Sequence, residues 1–177
     1  MRSETGDTPD SAAVTPEKPE LFPELIFYNN HDLVIDTHRM LLPSEIRRSL
    51  VSERDGKAFF IVPGINDKPW FYTERRYAEL ARELRTNKLP GQTDLDFKHM
   101  YFAEASRQEW DKQWRIGVPE AIRARYGIGT VVTLAGVEDH LELWDREAWR
   151  KHQDELRLKR AEIFRAMQEK QSPMGTL

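Results

Sequence analysis

Asp111 and Arg115 bracket the string DKQWR, with Lys112 beside the acid; a second acid and arginine, Asp36 and Arg39, bracket DTHR. An arginine on a loop carries a planar fork of donors that matches the two acceptors of guanine in the major groove. A carboxylate a few residues earlier can hold that fork by a charge-assisted pair and lower the cost of ordering it. Lys112, Arg47, Arg123 and Arg125 would then serve phosphates, which position a protein on a duplex without specifying sequence. The competing reading is a structural ion pair across a turn. The residues alone leave both open.

Other chemistries find less support. Asp36 and His38 are near in sequence, but no nucleophile, phosphate-cradling glycine loop or carboxylate dyad stands beside them, so no enzyme is expected. Histidines 31, 38, 99, 140 and 152 never pair at helical or finger spacing, and no metal or cofactor is expected. Zero cysteines remove disulfide and thiol chemistry and fit a reducing cytoplasm.

The elements that must hold these loops come from a chain of 177 residues, 39% hydrophobic and 32% charged, which suits one compact domain or two very small ones. No apolar run approaches the ~18 residues of a membrane span, and no secretory signal is expected at the start. The net charge of −3 is unevenly placed. Glu4, Asp7, Asp10, Glu17, Glu20 and Glu24 face only Arg2 and Lys18 near the N-terminus, so the remainder is close to neutral. With Pro9, Pro16, Pro19 and little apolar content, residues 1–22 read as a disordered acidic arm.

Beyond that arm the chain repeats itself. VIDTHRMLLPSEIRRSL lies over EWDKQWRIGVPEAIRARY, aligning Arg39 with Arg115, Pro43 with Pro119, Ile46 with Ile122 and Arg47 with Arg123. AFFIVPGINDKPWFYTERRYAEL lies over TVVTLAGVEDHLELWDREAWRKH, aligning Gly64 with Gly136, Asp67 with Asp139, Tyr72 with Trp144 and Tyr77 with Trp149. The loop SERDGK absorbs the difference in offset. Each copy predicts a short strand (40–42; 116–118), a helical turn opened by proline at its first position, a second strand (58–62; 130–134) and a turn at Gly64 or Gly136. A third strand follows (70–72; 141–144), then a helix capped near Thr73 or Asp145. The first such helix is expected to run to about Thr86, the second to about Gln171. The units span 26–86 and 99–156, joined by a linker over 87–98 and followed by a helical extension and tail over 157–177. Trp70, Trp144, Trp149, Tyr72 and Tyr77 are expected in the core, and Trp114 at a packing or subunit contact. The connections are too short for parallel crossovers, so the fold class is α+β.

The stretch WDKQWRIGVPEAIRARYGIGTVVTLAGVEDHLELWDREAWRKH resembles the second half of the MraZ family, and the resemblance covers about residues 26 to 156. That family carries two AbrB-like units, each marked by an Asp-x-x-x-Arg motif usually written DxxGR before a strand and a proline. The resemblance implies duplicated swapped-hairpin β-barrel units with flanking helices, and a ring-shaped homo-oligomer whose loops face double-stranded DNA bearing G-rich repeats. It also implies regulation of the division and cell-wall gene cluster in the nucleoid, with no membrane or small-molecule substrate. Asp111 and Arg115 match the motif fully. In the first copy Ile35 stands at the acid position, and Asp36 is one residue too close to Arg39. His38 and Trp114 replace the motif glycine, where a positive φ favours glycine. The function expected is sequence-specific DNA binding through Arg115, Asp111, Lys112, Arg39, Asp36, Arg47 and Arg123. The alternative is a protein-interaction or scaffold module of the same fold that has lost DNA reading.

Overall fold

A computed structural model describes residues 24–85 and 91–171. The acidic arm expected over 1–22 lies outside these residues, as do 87–90 of the expected linker and the end of the tail. Both halves of the described chain begin with a strand whose composition hides it: β1 (Asn30–Val34) and β5 (Ser106–Glu109) are largely polar segments lying at the two ends of a six-stranded antiparallel sheet. An end strand needs few apolar residues, because less of it is covered. Strands β2 (Arg39–Leu41) and β6 (Arg115–Gly117) follow the two loops and pair with each other, Met40 opposite Ile116. The predicted hairpins appear as β3 (Ala58–Pro63) with β4 (Pro69–Thr73), and β7 (Val131–Val137) with β8 (His140–Asp145).

The large sheet runs β1-β7-β8-β4-β3-β5. Its pairings cross the midpoint of the chain: β1 joins β7, with Asp32 opposite Thr133, and β5 joins β3, with Arg107 opposite Phe60. The leading strand of each half is thus hydrogen-bonded to the other half's hairpin. Such pairing requires close backbone approach at Gly136, where a Cβ would lie 2.4 Å from the backbone nitrogen of Tyr28. Gly136 sits inside β7 rather than in the expected turn, which falls on Glu138 and Asp139.

Among the described residues, helices α1 to α6 flank this frame and a terminal helix extends from it. Helix α1 (Ser44–Ser49) follows Pro43, α2 (Ser52–Asp55) follows it closely, and α5 (Glu120–Arg125) follows Pro119. Both prolines cap their helices from outside with extended ψ, one position earlier than expected, because proline constrains the entry without donating a bond. The Thr73 hydroxyl accepts the Arg76 N–H at the start of α3 (Glu74–Glu83). The Asp145 carboxylate accepts the Glu147 and Ala148 N–H groups at the start of α6 (Arg146–Leu158). The linker segment is helical where described: α4 (Gln92–Lys98) continues into a π-helical turn over His99–Ala103. The long helix expected after Asp145 breaks at Lys159, and α7 (Arg160–Gln171) leaves the sheet, its residues exposed through 170.

Inside the frame, Phe59, Phe71, Met40, Ile116, Val118, Leu134, Leu141 and Leu143 form one core fed by both halves. At roughly 1.5–3 kcal/mol for each large side chain removed from water, this shared core outweighs any surface contact. A second cluster of Val62, Tyr72 and Tyr101 is flanked by Trp70, Tyr77 and Phe97. Of the five aromatics expected in the core, Tyr72 and Trp144 are buried; Trp70, Tyr77 and Trp149 are half-buried. No helix among the described residues is long and apolar enough to cross a membrane.

Candidate nucleic-acid interface

The two loops that enter β2 and β6 meet. Their strands pair in antiparallel register, Leu41 opposite Arg115 and Arg39 opposite Gly117. Matching backbone bonds then tie each loop to the far side of the other strand: Leu42 N–H donates to the Trp114 carbonyl at 2.9 Å, and Val118 N–H to the His38 carbonyl at 2.7 Å. The ladder therefore brings the ends of both loops to one place.

The second loop is closed by its own acid. Asp111 N–H donates to the Arg115 carbonyl at 3.0 Å, and Trp114 N–H donates to the Asp111 carbonyl at 2.8 Å. One Asp111 carboxylate oxygen accepts the Gln113 and Arg115 backbone N–H groups at 2.9 and 3.0 Å; the other accepts Arg115 Nε at 2.9 Å. The Arg115 backbone N–H, with the guanidinium and Gln113 adding to it against partial burial, holds this carboxyl down at about 2. Trp114 takes the positive φ that the family pattern gives to glycine, at 62°. Its ring stacks on Trp110 at 5.7 Å, and Trp110 packs on Phe59 at 5.5 Å. Aromatic packing thus offsets the backbone cost at a position where tryptophan is a poor conformational fit. Trp114 is a local packing residue in this structure.

The first loop is one residue shorter and differs in kind. Asp36 and Arg39 exchange both backbone bonds, at 2.9 and 2.8 Å, leaving Thr37 and His38 as a two-residue turn. The positive φ falls on Thr37, at 58°, and not on the His38 position aligned with Trp114. A single positive φ at the first central residue is the pattern of a type II′ hairpin turn. The Asp36 carboxylate accepts a long bond from the Thr37 hydroxyl at 3.4 Å. Arg39 turns instead to the other half: its Nη1 donates to Asp111 at 2.8 Å, on the same oxygen that binds Arg115 Nε.

The site residues read from sequence therefore divide. Asp111, Arg115 and Arg39 converge, with the two arginine side chains 47% and 53% exposed. Lys112 is exposed beside them. Asp36 shapes the turn in place of the guanidinium contact expected of it. Arg47 on α1 and Arg123 on α5 are half-buried, each with Nε enclosed and without a hydrogen-bond partner. Arg125 pairs with Glu104. The sharing of Asp111 across the halves was missed in sequence; the repeated sequence pattern was its signal, since β2 and β6 pair and carry their loops to a common place.

Residues 101–171 match the family model described as "MraZ protein, putative antitoxin-like". The chain is 28% identical over 134 residues to "Transcriptional regulator MraZ" of Finegoldia magna, an alignment covering 75% of this chain and 90% of that protein. The chain is similar to MraZ over most of its length. The MraZ model falls on the half whose Asp111–Arg115 motif is intact, while the alignment to the Finegoldia MraZ extends over most of both halves.

Proposed function

We propose that this chain is a sequence-specific DNA-binding transcriptional regulator, built as two AbrB-like swapped-hairpin units and working through the joined loops of its two halves. The convergence of Arg39 and Arg115 on Asp111 carries this reading. Two half-exposed guanidinium forks beside the exposed Lys112 make a compact cationic tip on a rigid ladder, suited to a groove edge. A relative named for transcriptional regulation supports the role. The resemblance to the family adds the division and cell-wall gene cluster as the target and a ring of identical chains as the working form. A ring multiplies a weak single tip through effective concentration, which offsets the overall charge of −3. Light scattering that reports a monomer at micromolar concentration would refute the ring.

A second reading has one observation behind it: both arginines are already bonded to a carboxylate, as in a structural clamp that needs no nucleic acid. Fluorescence anisotropy on the DNA upstream of the protein's own gene, against a scrambled duplex and across a salt titration, separates the two. A regulator prefers the upstream duplex, and its affinity falls with salt. Lys112→Ala is expected to weaken both duplexes alike and lower the salt slope by about one. Equal binding to both duplexes by the unaltered protein would leave the scaffold reading.

A further inference from the structure

We infer that Asp111 is a positioning residue for the arginines of both halves, so that Arg39 and Arg115 form a single reading unit addressed to neighbouring base pairs. This rests on the DNA reading above and adds to it how many separate contacts one chain offers. Two independent loops would read two separated positions; a shared carboxylate forbids that. Arg39 Nη1 and Arg115 Nε lie 2.8 and 2.9 Å from one oxygen of Asp111. The two donors are therefore less than about 6 Å apart, within two steps of a duplex that rises ~3.4 Å per base pair.

The placement is rigid for reasons independent of the side chains. Strands β2 and β6 pair through three residues each, and the Leu42 and Val118 bonds extend the tie on both sides. The second Asp111 oxygen is occupied by two backbone N–H groups, so the carboxylate cannot swing away to serve one arginine alone. Asp36, the sequence neighbour of Arg39, is removed from that role by the shorter turn, in which its backbone is bonded to Arg39. A motif that reads as damaged in its own half is thus completed by the acid of the other.

The contacts left to each arginine differ. Arg115 is held through Nε, which leaves Nη1 and Nη2, the tips of the fork, to face a base edge. Arg39 is held through one tip, Nη1, which leaves Nη2 and Nε. An end-on bidentate contact from Arg115 through Nη1 and Nη2, and a side-on one from Arg39 through Nε and Nη2 on the adjoining pair, is the arrangement this geometry admits.

The test has two arms, both on the full chain. In the free protein, 15N NMR follows hydrogen exchange at Arg115 Nε and the resonances of the Arg39 guanidinium. Asp111→Asn is expected to speed exchange at Arg115 Nε at least tenfold and to shift the Arg39 signals, while Asp36→Asn leaves both unchanged. Arg39 signals indifferent to Asp111→Asn, or as sensitive to Asp36→Asn, would overturn the shared clamp whatever the protein binds. The second arm selects binding sites from a duplex pool with a randomised core. Arg115→Ala and Arg39→Ala are each expected to relax one position of the selected motif, those positions being neighbours, and Asp111→Asn to relax both. Relaxed positions more than two steps apart would overturn the single unit while leaving DNA reading intact. An unaltered protein that selects no motif would end the DNA reading, and this inference with it.

Discussion

The loops at Asp36–Arg39 and Asp111–Arg115 occupy aligned places in the two halves of the chain, yet one is self-sufficient and the other is not. The longer loop folds its acid back onto its own backbone and its own arginine. The shorter one closes as a two-residue turn, and its arginine is met by the acid of its counterpart. One residue of spacing decides between these outcomes, because a two-residue turn places its flanking residues as a directly bonded backbone pair. The β2–β6 pair lets the short loop keep a partner, bringing one intact motif within reach of both arginines.

The largest expected effect breaks the comparison directly. Arg115→Ala should cost roughly 1–3 kcal/mol of discrimination between cognate and scrambled DNA, and Arg39→Ala less, since no acid of its own loop aims Arg39. Anisotropy beside thermal melts checks both. Equal losses would mean that an acid from the other half aims an arginine as well as one from its own loop. Lowered melting temperatures with unchanged preference would assign both arginines to structure.

A smaller effect concerns backbone strain. Thr37 is β-branched and holds a φ of 58°, with its hydroxyl making only a 3.4 Å bond. Thr37→Gly should relieve this strain and stabilise the chain by up to about 1 kcal/mol, a rise of a few degrees in Tm. Trp114→Gly relieves a similar φ of 62° but deletes the stack on Trp110, so it should lower Tm. Calorimetry on both variants would sharpen the contrast: two rises would show that the Trp110–Trp114 stack contributes nothing.

The smallest expected effect lies in the hairpins behind the loops, where Lys68 in the first half matches His140 in the second. The Lys68 ammonium sits 4.9 Å over the Trp144 ring. His140 is buried, its Nδ1 2.7 Å from Asp139 and its Nε2 3.6 Å from Glu142, the latter a charge contact rather than a hydrogen bond. Burial opposes the imidazolium, but the carboxylates of Glu142 and Asp139 outweigh it and raise its pKa above the usual value. A raised folded-state pKa means stability that is complete below about pH 6.5 and is lost as pH rises through the raised value. Asp139 and Glu142 are held below their usual values, despite burial, with His140 the leading partner of each. Their contribution is present above about pH 4 and is lost in acid. Melting temperature should therefore decline from about pH 6.5 toward pH 9, and His140→Asn should flatten that decline. An unchanged slope in the variant would place the titration elsewhere.

The sequence by itself determined the hairpin strands, the caps at Thr73 and Asp145, the α+β class and the pairing of Asp111 with Arg115, because each depends on residues close together in the chain. Alternating apolar residues, a capping side chain and an i to i+4 ion pair are short-range signals. Strands β1 and β5 were not legible, since NHDLV and SRQE owe their conformation to the hairpins they join rather than to their own composition. The break at Lys159 was equally silent, with neither proline nor glycine to mark it. Only the tertiary structure decided which acid serves Arg39. Asp36 is three residues away and Asp111 is 72, yet the β2–β6 ladder makes the distant carboxylate the near one. The physical reason is that a strand pair converts separation along the chain into adjacency across it.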